Sequence, residues 1–408
     1  MPIPGQARRP GWIARIGAVV AVLLGIAVAV PALAADEAPT PGVGSDELVW
    51  VYDDGVGKEG LWRWDRETRR WVLVDVREPH LPTQANTEPD TFPRDRPAYF
   101  VDCTAGADDA DGGRTAPWRS LAPVSGRTLP AGAAVYLKRG CSWEGQLRIV
   151  GEQITVAPYG SGAPPVITAP TADREEGAVI LDSPKGLISG VTVRDTPGAG
   201  ITLAAPGAAA ANLIVEDVAF GVRFTAPHTI VDRVQARNLH LFTSTPKEQK
   251  ADDDSGAVGF NVETTDVTVQ NSSCFNCRAP SDDYGHDGGF IEIWREGDRL
   301  RAYNNIGYNV DGFLEIGGMK GSGDEVKDVL LQGNRVSQVY ARALYINQGG
   351  PYDIPVTGLV MRDNVIHVVD GPAAAGDTSG VDIDPSNQIG RHVRPPVAAP
   401  SGALAPRS

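Results

Sequence analysis

The sequence predicts an all-β solenoid, a chain wound into stacked coils of short strands. Three observations predict it. Turn formers are abundant, with 47 glycines and 32 prolines in 408 residues, and few segments show a helical period. Strand-and-turn phrases recur: those opening near Val267, Leu300, Val329 and Leu359 follow one another at 33, 29 and 30 residues. An apolar–polar–apolar triplet returns alongside them, as Ile201-Thr-Leu203, Val222-Arg-Phe224, Phe260-Asn-Val262, Ile291-Glu-Ile293, Leu314-Glu-Ile316, Leu344-Tyr-Ile346 and Val381-Asp-Ile383. Alternation sends the flanking residues to one side and the middle one to the other. The flanks are apolar every time and should fill the interior. Strands this short need a closed coil, and the period does not suit leucine-rich repeats or propeller blades.

The chain in order begins with an export signal over 1–34. Arg8, Arg9 and Arg15 form the basic region, Ile16 to Val30 the apolar run, and Ala32-Leu33-Ala34 an A-x-A cleavage site, so the mature chain starts at Ala35. This predicts a secreted, extracellular protein with no stable membrane insertion after cleavage. The alternative is an anchor through the same segment left uncleaved, since the run is nearly long enough to span. Residues 35–47 read as a linker. Residues 48–76 form a small Trp-rich β unit, with Leu61-Trp-Arg-Trp-Asp65 and Arg70-Trp-Val-Leu-Val74 as a hairpin. Trp62, Trp64 and Trp71 either pack this unit onto the main body or stack on sugar rings. Residues 77–97, rich in Pro and Asp, are a second linker.

The stretch 98–170 runs Tyr99-Phe-Val-Asp-Cys-Thr-Ala-Gly106, Asp108-Asp-Ala-Asp-Gly-Gly-Arg-Thr115, Pro117-Trp-Arg-Ser-Leu121, Leu129-Pro-Ala-Gly132, Val135-Tyr-Leu-Lys-Arg-Gly140 and Trp143-Glu-Gly145. This order resembles the opening of secreted right-handed parallel β-helix proteins of the pectate-lyase-like superfamily, where it caps the N-terminal end of the solenoid. The resemblance implies a right-handed parallel β-helix with an N-terminal cap over 98–384, preceded here by the small hairpin unit. It specifies fold and not activity. The acidic run Asp108–Asp111 lacks EF-hand spacing and reads as a solvated turn. Residues 385–408 are Pro/Ala/Ser-rich and read as a disordered tail.

Polar turns close the later coils: Asn271-Ser272, Asn304-Asn305, Gly333-Asn334 and Asp363-Asn364. Stacked asparagines satisfy each other's amides along a solenoid, and their side chains tolerate a left-handed backbone. Their reading is structural. Of the four cysteines, Cys103 and Cys141 predict a disulfide, whereas Cys274-Phe-Asn-Cys277 is either a local disulfide or a pair of free thiols. No matching CxxC or HxxxH completes a zinc site.

The formal charge of −14 argues against nucleic acid and anionic membranes as partners. Chemistry concentrates on the outward column Thr202, Arg223, Asn261, Glu292, Glu315, Tyr345 and Asp382. Seven rungs at about 4.8 Å give a face roughly 30 Å long, room for several sugar units. Stacked in register, Glu292 and Glu315 lie one strand spacing apart, and their mutual repulsion raises at least one pKa. Asp287 and Asp311 precede the same two strands, and His286 could tune either pair. The catalytic candidates are Glu292, Glu315, Asp287 and His286. Candidate substrate contacts are Asn261, Arg223, Tyr345, Asp382, Tyr284 and Trp294. Extra residues at 243–257, 278–287 and 370–379 form loops on one edge, where repeat proteins carry their binding rim.

Three functions fit this face. Glycoside hydrolysis needs one protonated and one ionised carboxyl, which Glu292 and Glu315 supply. Polygalacturonases share the implied fold; the chain has Ser281-Asp-Asp283 but not their Asn-Thr-Asp, Gly-His-Gly and Arg-Ile-Lys elements. β-Elimination or epimerisation of a uronic acid polymer is the alternative, with Ca²⁺ as its cofactor. Tyr284-Gly-His-Asp287 resembles the Tyr…Asp-x-His-Asp centre of alginate epimerases without its proline and spacing. The third is a non-catalytic carbohydrate-binding or surface structural protein. Acidic side chains without a basic cluster favour a neutral polysaccharide or oligosaccharide, hydrolysed with no cofactor.

Overall fold

The computed structural model describes residues 48–53, 58–65, 70–77, 96–246, 254–346, 352–369 and 371–390. The predicted export signal, the first predicted linker, most of the second, Asp252 and Asp253 lie outside these residues.

From Ala98 to Gly390 the chain is a parallel β-helix. Strands of successive coils pair in parallel from cap to last coil. Ile201, Val222, Phe260, Ile291, Leu314 and Leu344 stand in register, as do Leu203, Phe224, Val262, Ile293, Ile316 and Ile346. All are buried in one continuous core. One coil cannot bury its apolar side alone, so each rung depends on its neighbours. Phe260, Phe290 and Phe313 continue this logic as an interior aromatic stack, with ring centroids 5.5 and 5.6 Å apart.

The turns are held by an asparagine ladder. Asn305 Nδ2 donates to Asn334 Oδ1 at 2.9 Å, Asn334 to Asn364 at 2.9 Å, and Asn364 to Asn387 at 2.8 Å. The residue before each of the first three, Asn304, Gly333 and Asp363, has φ of 52°, 68° and 56°. That left-handed step is what Asn, Gly and Asp tolerate, and it turns the next side chain inward.

Both cysteine pairs are disulfides. Cys103–Cys141, with Cα atoms 5.7 Å apart, staples the cap. Cys274–Cys277 closes within the single strand Ser273–Cys277, inside the coil. Its bulk is accommodated by Gly259 on the preceding rung. A Cβ there would lie 2.3 Å from Cys274 Sγ and 2.9 Å from the Phe290 carbonyl oxygen. Gly259→Ala should therefore destabilise the helix by about 1–3 kcal/mol, read as a lower melting temperature. Reducing the disulfide should not restore it, because the carbonyl remains in the way.

Two expectations need correction. Asp382 does not continue the Glu292 column. Its strand, Val381–Ile383, pairs with Leu359–Met361, so Asp382 stands beside Val360. The rung after Tyr345 is Ala375, on the two-residue strand Ala374–Ala375. The triplet pattern is the same on every side of the coil, so it cannot tell which side a strand belongs to. The coil also runs past 384 into the expected tail: Gln388–Gly390 pairs with Val365–His367, and Asn387 extends the ladder.

The strands Leu48–Asp53, Lys58–Asp65 and Arg70–Arg77 form a separate three-stranded antiparallel sheet. The backbone of Leu48–Asp53 comes within 8 Å of the strands Ile306–Gly317 and Arg335–Ile346. The side chains of Trp62, Trp64 and Trp71 lie outside what is described.

Candidate active site

The column from Thr202 to Tyr345 is continuous. Thr202, Arg223, Asn261, Glu292, Glu315 and Tyr345 pair rung by rung. Glu292 projects from the strand Gly289–Trp294 and Glu315 from Ile306–Gly317, each between two buried aliphatic residues. Although it faces outward, Glu292 is only 1% exposed. Glu315 is partly exposed.

Two more acids enter from the rim. Asp287 ends the hairpin Ala279–Ser281/Gly285–Asp287. The chain then passes through Gly288, at φ 126°, where a Cβ would meet the Ala257 carbonyl at 2.7 Å. Only glycine allows this turn. Asp287 is 7% exposed; its Oδ1 accepts the Gly288 N–H at 2.8 Å, and its buried Oδ2 has no hydrogen-bond partner. Asp311 lies on the strand of Glu315 and is paired with Arg278 at 2.9 Å.

The rim is tied down by Asp254, which is fully buried. It accepts hydrogen bonds from the Thr245 N–H, the Ser281 hydroxyl and the Asp282 N–H, each at 2.8 Å. Burial opposes its charge, but these bonds prevail and hold its pKa below the usual carboxylate range. The two inserts are thereby joined beside Asp287.

A β-bulge shapes the opposite side. Val310 pairs with Val339 but Gly312 with Arg342, so the later strand carries one extra residue opposite Asp311. Bulges re-aim side chains, and this one serves Tyr340 and Arg342. The Arg278 guanidinium lies 4.2 Å from the Tyr340 ring centre, and that of Arg342 lies 4.6 Å from the Tyr345 ring centre. Arg342 Nε is buried without an acceptor.

These surroundings split the acids. Burial, then the charges of Asp287 and Asp311, push the Glu315 pKa well above the usual range; Arg342 opposes and Glu292 adds. Burial also pushes Asp287 well up, against the Gly288 hydrogen bond and with help from Asp311, Asp254 and Asp283. For Asp311 burial raises the pKa less far, because the hydrogen bond and charge of Arg278 hold it back. Burial and the neighbouring Glu315 likewise raise the Tyr345 hydroxyl.

The remaining candidates separate. His286 is exposed on the hairpin, near enough for its charge to act on Asp311. Tyr284, 42% exposed, is at the hairpin tip. Trp294 is half-buried against Tyr352, with ring centroids 5.8 Å apart. Arg223 and Asn261 both hydrogen-bond to Glu263. Sequence reading missed Arg278, Tyr340 and Glu263. Glu263 was detectable by alternation, two residues beyond Asn261; Arg278 opens the insert 278–287 already placed on the rim, although nothing singled it out there, and Tyr340 carries no sequence signal. Among the described residues, no three His, Cys, Asp or Glu side chains are placed to hold a metal ion.

No protein-family model matches the chain, and no curated protein matches it. Solved structures resemble it in fold. A GH136 lacto-N-biosidase from Eubacterium ramulus is 12% identical with a TM-score of 0.39, covering 71% of this chain and 67% of that one. Pectate lyase Pel9A is 14% identical with a TM-score of 0.44, covering 75% and 81%. A tailspike protein of E. coli bacteriophage HK620, in complex with a pentasaccharide, is 12% identical with a TM-score of 0.45, covering 68% and 51%. The likeness is one of coiled architecture and assigns no residue a role.

Proposed function

We propose that the chain is an exported, glycan-processing glycoside hydrolase. The observation that carries this reading is the unequal environment of two neighbouring carboxyls, both raised by burial but only Asp311 held back by an arginine hydrogen bond. Burial and neighbouring acids hold the Glu315 pKa well above the usual glutamate range. Asp311, paired with Arg278, is the more easily ionised. Glycoside hydrolysis needs that division: an acid to protonate the leaving oxygen, and a carboxylate to activate water or attack the anomeric carbon. The roles therefore shift from Glu292 and Glu315, the pair nearest in sequence pattern, to Glu315 and Asp311. Asp287 and Glu292 act through the field they set on Glu315. His286 acts similarly on Asp311.

The test is a screen of the chain from Ala35 against neutral and uronic polysaccharides, with and without calcium. It follows reducing ends and the absorbance near 235 nm of unsaturated uronate products. New reducing ends without that absorbance, lost in Glu315→Gln and Asp311→Asn, support hydrolysis. Calcium-dependent absorbance that survives Glu315→Gln overturns it in favour of a lyase. Binding without turnover supports the non-catalytic alternative.

The Arg278–Asp311 pair predicts a directed pH effect. Arg278 lowers the Asp311 pKa, and activity needs Asp311 ionised. Arg278→Met should raise that pKa and move the acid limb of the rate profile to higher pH. The basic limb, set by loss of the Glu315 proton, should move less. A profile unchanged in shape would remove Asp311 from the mechanism.

A further inference from the structure

One coil before Glu292 the same face carries a second polar assembly. The Arg223 fork makes two hydrogen bonds to Glu263, Nε to Oε1 at 2.9 Å and Nη2 to Oε2 at 2.8 Å. Its Nη1 also donates to the Glu175 carbonyl. Asn261, between Arg223 and Glu292 in the column, donates Nδ2 to Glu263 Oε1 at 2.8 Å. Glu263 can only accept, so the Asn261 amide must turn its NH₂ towards it. Asn261 Oδ1 therefore faces elsewhere, fully buried and without a hydrogen-bond partner.

The assembly is fixed and incompletely used. Of the five Arg223 N–H groups, three are engaged and two are left. Glu263 Oε2 accepts one hydrogen bond from Arg223, leaving a lone pair. Arg223 and Glu263 side chains remain 18% and 20% exposed, so both can be reached from outside. Adjacent free donors and acceptors, locked in place and neutral as a pair, complement neighbouring hydroxyls that each donate and accept. They do not complement a carboxylate, because Arg223 is already paired with Glu263 and has the Glu175 carboxylate 3.9 Å from Nη1.

We propose that Arg223 and Glu263, positioned by Asn261, form a sugar subsite for the vicinal hydroxyls of a neutral pyranose. It lies on the N-terminal side of the acids. The subsite rests on the glycan reading above and deepens it. Arg223 and Glu315 are three rungs apart, so about 14 Å of chain joins the subsite to the acid. The substrate is then a neutral oligosaccharide of several units, and chain length sets affinity.

The test uses the full mature chain and ladders of neutral β-linked gluco-, xylo- and manno-oligosaccharides, two to six units long, beside an oligogalacturonate ladder. Calorimetric affinity is measured in Glu315→Gln, and turnover in the chain with Glu315 intact. For one neutral ladder, affinity should climb with length. Arg223→Met and Glu263→Gln should weaken the long members about tenfold, a clearly larger loss than on the shortest member. Unaltered melting temperatures check the fold. Equal losses on short and long members, preferential binding of the galacturonate ladder, or no binding by any neutral ladder overturn the subsite. Length-dependent binding without turnover sustains the subsite and overturns the hydrolase.

Discussion

Glu315→Gln should lower kcat on the cleaved glycan by about 10²–10⁴-fold, the usual contribution of a positioned acid. Glutamine keeps the shape and the outward position but has no proton to give. The same substitution should stabilise the fold, and the sign follows from linkage. Burial and neighbouring acids keep Glu315 protonated to a pH well above the 4.5 of a free glutamate. Between those limits the native state holds a proton that the unfolded chain has lost, so stability falls as pH rises. Glutamine removes the slope. The variant should match the parent near pH 4 and melt higher at neutral pH, on the order of 1 kcal/mol. Parallel melts across pH, with activity on the same samples, check both halves. A variant less stable at neutral pH would mean that Glu315 is ionised there, and the acid role would pass to another group.

Asn334→Ala should produce the largest loss of stability, on the order of 3 kcal/mol, without touching the acids. Asn334 Oδ1 accepts from the Asn305 N–H at 3.1 Å and from Asn305 Nδ2 at 2.9 Å. Its Nδ2 donates to the Ala302 carbonyl at 3.0 Å and to Asn364 Oδ1 at 2.9 Å. The site is fully buried, so alanine leaves several backbone and side-chain groups dry and unpaired, besides a cavity. Asp in its place should do no better, since a carboxylate cannot donate to the Ala302 carbonyl. Denaturant melts measure the loss. A change within about 0.5 kcal/mol would show that water or turn rearrangement replaces the ladder.

The sequence by itself determined the coil. Period-two alternation, apolar flanks and a turn asparagine every coil are local and repeat, so Ile291, Ile293, Leu314 and Ile316 could be placed inside before any pairing was known. The same alternation put Thr202 to Tyr345 on one face, and the registers run as that pattern requires. It failed at Asp382, where the triplet recurs on a different side of the coil. The electrostatics of the site were decided only in three dimensions. Arg278 pairs with Asp311 across 33 residues, and the bulge that brings Arg342 near Glu315 is a property of two strands together. Asp254 fastens two inserts through hydrogen bonds that no spacing encodes. A carboxyl's pKa depends on what lies within a few ångströms in space, while alternation records only which way each side chain points.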